Sequence, residues 1–444
     1  MTLAKRLLLG SAAAVVATTG AQAADLGLPV APAVDYVQIC SIGSFTGFIL
    51  PGSDVCFDIS GFARAQADFG VANTGSYYDY DDVDFSSEVE LNFDARTMTE
   101  WGLLRGFIRL GESDEGEDYN LDVVKAFVQI GGFTAGLTDS FFDPVYTDYA
   151  MAGIGAPDGG TDDLTLFGYS YAVGNGVTLM ASVEDNDGNG RFGGIAAVDP
   201  VAGNIYQGGA AVAVGTAFTT GAGTTINNIQ DTENGLAFVA AIRVDQAWGS
   251  AKLAGAITEV DIDNSTLAAL NAAMGSTVTD DTELGWAISA SAEFNLPVGV
   301  DSEFGIFGIY TDGAVSYAGV GTGITAPGAS AAWADLSLDA VVDTTTGNLQ
   351  TTEAWALGAG VEFGLNAMTD LEIDGYYADV DHGDAIGAVG DYNVWAVRSS
   401  IAYRPVSGLE LRAGVGYTDY DVNSALDPYF DSGFTGRFRV TRSF

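Results

Sequence analysis

The feature that most limits the fold of this chain is an alternation of apolar and polar residues with a period of two. In the segment 57–69, one face is apolar and the other carries Asp58, Arg64 and Gln66. Such a strand separates two different environments, whereas a fully buried strand is apolar on both faces. Roughly sixteen segments of about ten residues repeat the pattern, and this is the length of a tilted membrane strand. They span 57–69, 86–97, 101–111, 121–131, 133–139, 164–173, 177–184, 235–248, 250–262, 283–296, 301–313, 352–365, 368–380, 391–404, 409–421 and 434–444.

The connections between these segments alternate in length. Asn175-Gly176 and Pro297-Val298-Gly299 are two of the tight turns, and both have the residues that such turns favour. Short turns at one end and long loops at the other are typical of outer-membrane barrels, and a soluble sandwich does not need its loops sorted by end. The long polar connections lie near 70–85, 112–120, 140–163, 185–234, 263–282, 314–351, 381–390 and 422–433.

These two patterns predict an all-β fold, a transmembrane antiparallel β-barrel of about 16 strands with short periplasmic turns and long extracellular loops. Beyond the first residues, no stretch approaches the ~20 apolar residues that a membrane-spanning helix needs. We therefore expect a multi-pass protein of the outer membrane.

The first residues predict export. Lys5-Arg6 precede an apolar run, and Ala21-Gln22-Ala23 matches a small-residue cleavage site. In an exported chain we expect Cys40 and Cys56 to form a disulfide that closes a short loop ahead of the first strand, two free thiols being the alternative. The expected parts are a signal peptide at 1–23, a periplasmic N-terminal segment at 24–56 and the barrel at 57–444.

Acidic residues greatly outnumber basic ones. The formal net charge is −43, and it becomes −45 once Lys5 and Arg6 are removed with the signal peptide. Nucleic acid is excluded as a partner because phosphate binding needs clustered Lys and Arg. Catalysis is disfavoured, since His382 is the only histidine and nothing near it supplies an oxyanion site.

We expect no cofactor, but the acidic loops predict weak divalent binding. Asp185, Asp187 and Asn189 resemble half of a calcium loop, although its twelfth position is Ala196 rather than Glu. Hard cations favour clustered carboxylates. Weak Ca²⁺ binding at these loops is therefore a prediction.

The few basic residues gather in the first four and the last three segments. Because the last strand of a closed barrel pairs with the first, these two groups form one wall, mostly on the lumen-facing parity. This basic wall comprises Arg64, Arg96, Arg105, Arg109, Lys125, Arg398, Arg412, Arg437 and Arg439.

The third long connection is acidic. If it folds into the barrel, its carboxylates face the basic wall and set a transverse field that controls ion selectivity. Alternatively, these acids are solvated at the mouth and the arginines pair with Glu and Asp of the strands. The predicted constriction-loop acids are Asp139, Asp143, Asp148, Asp158, Asp162 and Asp163.

The last segment carries an assembly signal. Phe438, Val440 and Phe444 lie on one face of it, with Arg437 and Arg439 on the other. A terminal aromatic residue on an amphipathic last strand resembles the signal that the barrel-assembly machinery recognises. We expect this machinery, outer-membrane lipid and lipopolysaccharide as partners.

Several motifs resemble those of the α-proteobacterial outer-membrane porin family, whose members include the general porins of the Rhizobiales type. They are Asp35-Tyr36-Val37, the spacing from Cys40 to Cys56, the run from Asp94 to Gly102, Ser140-Phe141-Phe142-Asp143 and the final Phe444. The resemblance implies a homotrimer of sixteen-stranded barrels, passive diffusion of small hydrophilic solutes, and a third loop folded into each lumen. This chain departs from the family in its scarcity of Lys and its long acidic loops, so anion preference and a particular solute do not carry over.

The sequence therefore predicts an outer-membrane porin, a water-filled channel for ions and small hydrophilic solutes that prefers cations because the chain is strongly acidic. Two alternatives stay open. An acidic secreted surface-layer or adhesin protein would share the charge but would not need sorted loop lengths or Phe444. A substrate-specific outer-membrane channel would share the fold and differ in the lining of its lumen.

Overall fold

The computed structural model describes fifteen stretches of the chain and leaves the predicted signal peptide outside them. They are residues 37–72, 83–113, 121–151, 163–186, 191, 194–199, 204–207, 210–213, 235–262, 271, 282–320, 338–343, 346–382, 391–422 and 433–444.

Strands dominate the described residues. The first nine are β1 (Ile39–Ile42), β2 (Phe45–Ile49), β3 (Cys56–Ala72), β4 (Asp84–Thr99), β5 (Gly102–Ser113), β6 (Asp122–Ile130), β7 (Phe133–Asp139), β8 (Asp163–Gly174) and β9 (Val177–Asp185). The next seven are β10 (Gly194–Asp199), β11 (Asn204–Gln207), β12 (Ala210–Ala213), β13 (Leu236–Gln246), β14 (Gly249–Val260), β15 (Glu283–Leu296) and β16 (Ser302–Asp312). The last seven are β17 (Leu338–Asp343), β18 (Leu349–Thr351), β19 (Glu353–Asn366), β20 (Thr369–Asp381), β21 (Tyr392–Val406), β22 (Leu409–Val422) and β23 (Gly433–Ser443).

Sixteen of these strands form one closed antiparallel barrel, which confirms the predicted fold. They are β3–β9, β13–β16 and β19–β23, and each pairs with the next along the chain. The barrel closes where β23 pairs with β3, for example at Phe438 opposite Ala67. Seven short turns join the described barrel strands at one end, and eight long connections join them at the other. At the turn after β8, Asn175 and Gly176 both have positive φ, of 53° and 75°, as a tight hairpin with the right-handed strand twist requires.

The outer face of the barrel is apolar and exposed. Phe167, Leu253 and Val397 leave 62%, 49% and 49% of their surface uncovered, and a surface of this kind needs lipid around it. Aromatic pairs mark the loop end of this face, where the ring centroids of Trp355 and Tyr377 are 5.0 Å apart. Rings at this height match the aromatic girdle of a membrane barrel.

A short hairpin precedes the barrel. β1 and β2 pair with each other, and β2 then pairs with the start of β3 through Phe48 and Ile49. Cys40 in β1 and Cys56 at the start of β3 form the predicted disulfide, with a Cα–Cα distance of 5.8 Å. The disulfide prediction is therefore confirmed, and the bond ties the hairpin to the barrel wall.

The inner face of the barrel has two different halves. On β20–β23 and β3–β6 it carries charged side chains, as the alternation predicts. Towards the long loops, β13, β14 and β19 carry small apolar residues on the inner face, so these parts of the strands are apolar on both faces, and the expectation of one polar face throughout was wrong for them. Their buried inner residues are Ala237, Val239, Ala241, Ala254, Ala256, Ala354 and Ala356. The reason is that loops cover this half of the lumen.

Two loops also share a small second sheet. β10, β11 and β12 come from the loop after β9, β17 and β18 come from the loop after β16, and β10 pairs with β17 in parallel. A short 3₁₀ helix, Val315–Ala318, lies in the second of these loops, and all four of its residues are buried. Among the described residues, no helix is long and apolar enough to cross a membrane.

Candidate functional site

The loop between β7 and β8, called L3 below (residues 140–162, described to 151), follows the inner wall of the barrel. The Phe141 amide donates to Glu184 of β9, and Lys252 of β14 donates to the Asp143 carbonyl at 2.6 Å. Further along, the Val145 amide donates to the Ser291 hydroxyl of β15 at 2.9 Å. L3 therefore contacts the wall strand by strand, which confirms the predicted inward fold.

Glycines on the inner face make room for the aromatic residues of L3. A Cβ added at Gly305 of β16 would lie 2.7 Å from Cδ1 of Tyr146 and closer still to two other ring carbons. A Cβ at Gly360 of β19 would overlap the Tyr146 hydroxyl, and one at Gly168 of β8 would lie 2.6 Å from the Phe141 ring. These three glycines, the L3 sockets, let the rings lie against the backbone of the wall.

The last described residues of L3 are held by charged and polar groups of β20–β22. The amides of Tyr149 and Ala150 donate to one carboxylate oxygen of Asp374, at 3.3 and 2.7 Å. Arg398 donates to the other oxygen at 2.6 Å, and Arg412 donates to the Tyr149 carbonyl at 2.7 Å. The bonds that Ala150 and Arg398 donate to Asp374 are buried, so both are costly to leave unmade.

The near end of L3 holds a buried carboxylate. Asp143 forms an ion pair with Arg191 from the loop after β9. Burial raises the pKa of the Asp143 carboxyl to about 7, against the opposing pull of Arg191 and Lys252. Burial also raises the pKa of Tyr146 and of Tyr149 above the ordinary tyrosine value.

The loop after β16 packs on L3 from the side of the long loops. The Tyr317 ring meets Phe142 of L3 edge to face, with centroids 4.8 Å apart, and the Arg191 guanidinium lies 4.6 Å from the Tyr317 ring centre. The Tyr376 hydroxyl of β20 donates to the Ala318 carbonyl at 2.8 Å. Sequence reasoning placed this loop among the outer connections and missed that residues 315–318 fill the lumen.

The basic wall is assembled on the opposite side, but its members have acidic or amide partners. Arg96 and Arg105 both bind Asp94, each with a contact of 2.8 Å. Arg437 pairs with Asp68 across the barrel closure. The remaining partners are Glu88 for Arg64, Glu90 and Asn92 for Arg109, and Gln66 for Arg439.

Three residues of the predicted wall bind L3 or the strand ends next to it, instead of facing L3 across the lumen. Arg398 and Arg412 hold the last described residues of L3. Lys125 binds Asp139 and Asp163 at 2.5 and 3.0 Å, and these two residues lie where L3 leaves β7 and where β8 begins. Six members, on β3–β5 and β23, remain as a continuous wall: Arg64, Arg96, Arg105, Arg109, Arg437 and Arg439.

The four described acids of the predicted constriction set make their contacts away from those six arginines. Asp139 and Asp163 bind Lys125, and Asp143 binds Arg191. Asp148 lies 3.6 Å from Arg398 and is the more exposed of the two described acids on L3. Asp158 and Asp162 lie outside the described residues, and the constriction assignment stays a prediction.

A polar cavity of about 660 Å³ lies beside the near half of L3. Lys125, Gln129 and Thr134 line it from β6 and β7, and Arg243 and Lys252 line it from β13 and β14. The mixture of hydroxyl, amide and charged groups suits water and hydrophilic solutes rather than an apolar ligand.

Sequence reasoning missed the residues that hold L3, although two signals point to them. Gly358 and Gly360 alternate with Ala354 and Ala356 on the inner face of β19, where the lumen of an open barrel would be polar. A small apolar inner face indicates that something covers it. Asp374 has no such signal, because its role depends on a loop that is far away in sequence.

The predicted assembly residues share the outer face of β23. Phe438 and Phe444 expose 47% and 61% of their surface. The backbone of Phe444 exchanges two hydrogen bonds with Gly61 of β3, at 3.0 and 3.1 Å. His382 is buried beside Tyr392, with ring centroids 6.3 Å apart.

Known proteins match this chain in sequence. A sequence model of the porin subfamily matches residues 28–436. The porin Omp2b of Brucella suis biovar 1 is 31% identical over 235 residues, which are 46% of this chain and 62% of Omp2b. The protein y4fJ of Sinorhizobium fredii, which carries the name of an outer membrane protein, is 36% identical over 149 residues, 31% of this chain and 43% of y4fJ. The chain spans about half the length of the curated relatives it matches.

Solved structures share the fold. The outer membrane channel DcaP of Acinetobacter baumannii aligns with a TM-score of 0.62 at 16% identity, over 90% of this chain and 99% of DcaP. A trimer form of OmpT of Vibrio cholerae aligns with a TM-score of 0.51 at 11% identity, over 88% of this chain and all of OmpT (100%). At these identities the likeness concerns the fold alone. Because the subfamily model covers most of the sequence, this chain belongs to the porin subfamily and is an outer-membrane β-barrel protein.

Proposed function

We propose that the barrel is a water-filled channel for the passive diffusion of ions and small hydrophilic solutes, and that it prefers cations. The observation that carries this proposal is the division of the lumen. L3 and residues 315–318 cover one half of the inner wall, and the other half keeps its charged side chains. A barrel filled on one side and polar on the other supports a narrowed aqueous path rather than a packed core.

The charge pattern supports the cation preference. The six wall arginines contact Asp68, Glu88, Glu90, Asp94 or amide groups, so much of their field is cancelled locally. The chain as a whole has a formal net charge of −43. A strongly negative field raises the local concentration of cations and lowers that of anions.

Bilayer recording tests the proposal. Purified protein in a planar bilayer should give stable conductance steps, and the reversal potential under a KCl gradient should have the sign of cation preference. Neutral sugars of increasing size should reduce the current until they are excluded. An anion-selective reversal potential would show that the arginine wall outweighs the acids, and the absence of steps would contradict the channel itself.

We also propose a homotrimer within outer-membrane lipid and lipopolysaccharide, folded with the help of the barrel-assembly machinery. The trimer form of OmpT supports the oligomeric state through a shared fold. Conductance should then appear in groups of three equal steps, and unheated protein should migrate on a gel as a trimer until it is boiled. A surface-layer or adhesin protein should not show this heat-dependent mobility.

Weak Ca²⁺ binding by the acidic loops remains a further proposal. Asp185 ends β9, and the rest of the half calcium loop lies outside the described residues. Within the described part of the chain, no three carboxylate, His or Cys groups are arranged to hold a metal ion. Calorimetric titration of the detergent-solubilised protein with CaCl₂ measures this binding directly.

A further inference from the structure

The N-terminal hairpin β1–β2 reaches the inner face of the barrel at the end that carries the short turns, where β3 begins and β4 ends. The ring centre of Phe45, the first residue of β2, lies 4.0 Å from the Cζ atom of Arg96 on β4. Arg96 points into the lumen, because it binds Asp94 together with Arg105. The Phe45 ring therefore lies inside the barrel, although the hairpin precedes the first barrel strand.

A covalent bond and strand pairing fix the hairpin in this position. The disulfide joins Cys40 of β1 to Cys56, and Cys56 lies directly opposite Arg96 on the neighbouring strand. The backbone of β2 pairs with β3 where Phe48 faces Phe57, and the two rings meet edge to face with centroids 5.6 Å apart. The hairpin is therefore held beside this arginine by contacts that do not depend on the arginine itself.

The ion pair of Arg96 neutralises its charge only in part. The Asp94 carboxylate contacts Arg96 and Arg105 at 2.8 Å each, so one negative charge serves two guanidinium groups. Asp58 lies opposite Asp94 on β3, but the ion pairs formed among the described residues do not include it. This end of the basic wall therefore keeps part of its positive field.

The Phe45 ring covers the group from which this field comes. Asp94 binds one edge of the Arg96 guanidinium, through Nε and one terminal nitrogen, and the ring lies over one of its faces. The Arg96 side chain keeps 21% of its surface exposed. The face of an aromatic ring carries partial negative charge and attracts a cation, so the ring weakens the field that an entering anion meets.

We propose that Phe45 is a specificity-determining residue of the channel: the disulfide-bonded hairpin holds its ring over Arg96 and so reduces the attraction of this end of the basic wall for anions. This inference rests on the proposed channel, because it concerns the ions that the lumen admits. A positive charge that faces the lumen attracts anions and repels cations. Covering Arg96 therefore favours cations, in the same sense as the acidic groups of the chain.

The reversal potential in a KCl gradient tests this role. Phe45→Ala should lower the K⁺/Cl⁻ permeability ratio by about twofold, because one charge about 7 Å from a permeating ion in water acts on it with an energy close to RT. Phe45→Tyr keeps the ring and should keep the wild-type ratio. Thr46→Ala is the matched control, because Thr46 is the next residue of the hairpin and is exposed, and its ratio should equal that of the wild type.

Two double variants separate this role from a structural one. If Phe45 acts through Arg96, Phe45→Ala should leave the permeability ratio of Arg96→Gln channels unchanged. Cys40→Ser should shift the ratio in the same direction as Phe45→Ala, because the hairpin loses its covalent bond to β3. In Cys40→Ser channels, Phe45→Ala should then have little further effect.

All variants should keep the heat-dependent gel mobility of a folded barrel, so that a changed ratio reports on the lumen. An equal ratio in the wild type and Phe45→Ala, or an equal shift with and without Arg96, would overturn the role of Phe45 and leave the cation-preferring channel intact. A wild-type ratio in Cys40→Ser would overturn the part assigned to the disulfide. An anion-selective wild type in which Phe45→Ala still raises anion permeation through Arg96 would overturn the proposed preference and keep this role.

Discussion

The socket at Gly305 makes the position of L3 open to a direct test. Alanine at this position adds one methyl group 2.7 Å from Cδ1 of Tyr146, and nearer still to two other ring carbons. Real Cβ atoms essentially never come within 3.0 Å of another heavy atom in this way, so either the ring or the strand has to move. Because Gly305 pairs with both Glu293 and Gly360 in the middle of the barrel wall, the ring is the part that can yield.

Overpacking a fitted site costs about 1–3 kcal/mol. If this cost falls on the seated position of L3, the ratio of seated to displaced loop drops by about 5–150-fold. L3 borders the open half of the lumen, so its displacement widens the path if L3 forms the proposed constriction. We therefore expect Gly305→Ala to raise single-channel conductance, to make the open current noisier, and to admit larger neutral sugars than the wild type admits.

Gly375→Ala is the matched control. Gly375 is also a strand glycine, one strand beyond β19, but a Cβ there meets only the Ala396 carbonyl oxygen at 3.6 Å, an ordinary contact. It should conduct like the wild type. Gly360→Ala should behave like Gly305→Ala, because a Cβ at Gly360 would overlap the Tyr146 hydroxyl. If Gly305→Ala keeps wild-type conductance and sugar exclusion while folding normally, L3 does not form the constriction at this point.

Three further predictions concern charge and covalent structure. Replacing Arg96 and Arg105 with Gln removes both ion-pair partners of the Asp94 carboxylate. The reversal potential in a KCl gradient should therefore shift toward stronger cation preference. An unchanged reversal potential and conductance would contradict a role of the basic wall in ion selectivity. Since burial raises the pKa of Asp143 to about 7, cation preference should weaken as the pH falls from 8 to 6 and this charge is lost, and Asp143→Asn should reduce the change. Cys40→Ser breaks the bond to Cys56, so the stability of the hairpin should fall by about 2–4 kcal/mol and the hairpin should become sensitive to protease. The barrel should still show heat-dependent gel mobility. Protease resistance equal to that of the wild type would contradict this prediction.

The barrel is largely predictable from sequence because its strands obey a local rule. The sixteen predicted segments correspond to the sixteen barrel strands, with boundaries that differ by a few residues. A period of two and a turn such as Asn175-Gly176 are both properties of neighbouring residues. The disulfide was predictable for a similar reason, since only two cysteines exist and export favours their pairing.

The lining of the lumen was less predictable, because it depends on pairs that are distant in the chain. The amide of Ala150 meets Asp374, 224 residues later, and the hydroxyl of Tyr146 meets the backbone at Gly360. No local pattern marks either partner. The predicted wall also shows this limit: parity placed Arg398 and Arg412 on the inner face correctly, but it did not show that both residues hold L3.

The same distinction explains why the charges of the lumen divide as they do. Where L3 contacts the wall, the Asp374 carboxylate accepts hydrogen bonds from two amides of the loop. Arg398 forms an ion pair with Asp374 and neutralises its charge. Glu303 and Glu362 lie opposite each other just beyond the last socket, and the described part of the chain contains no ion pair for either of them. A carboxylate that holds a loop and binds an arginine is neutralised within the protein, whereas the side chains of these two face the lumen. The selectivity of the channel should therefore depend less on the total charge of −43 than on the few acids that L3 leaves uncovered.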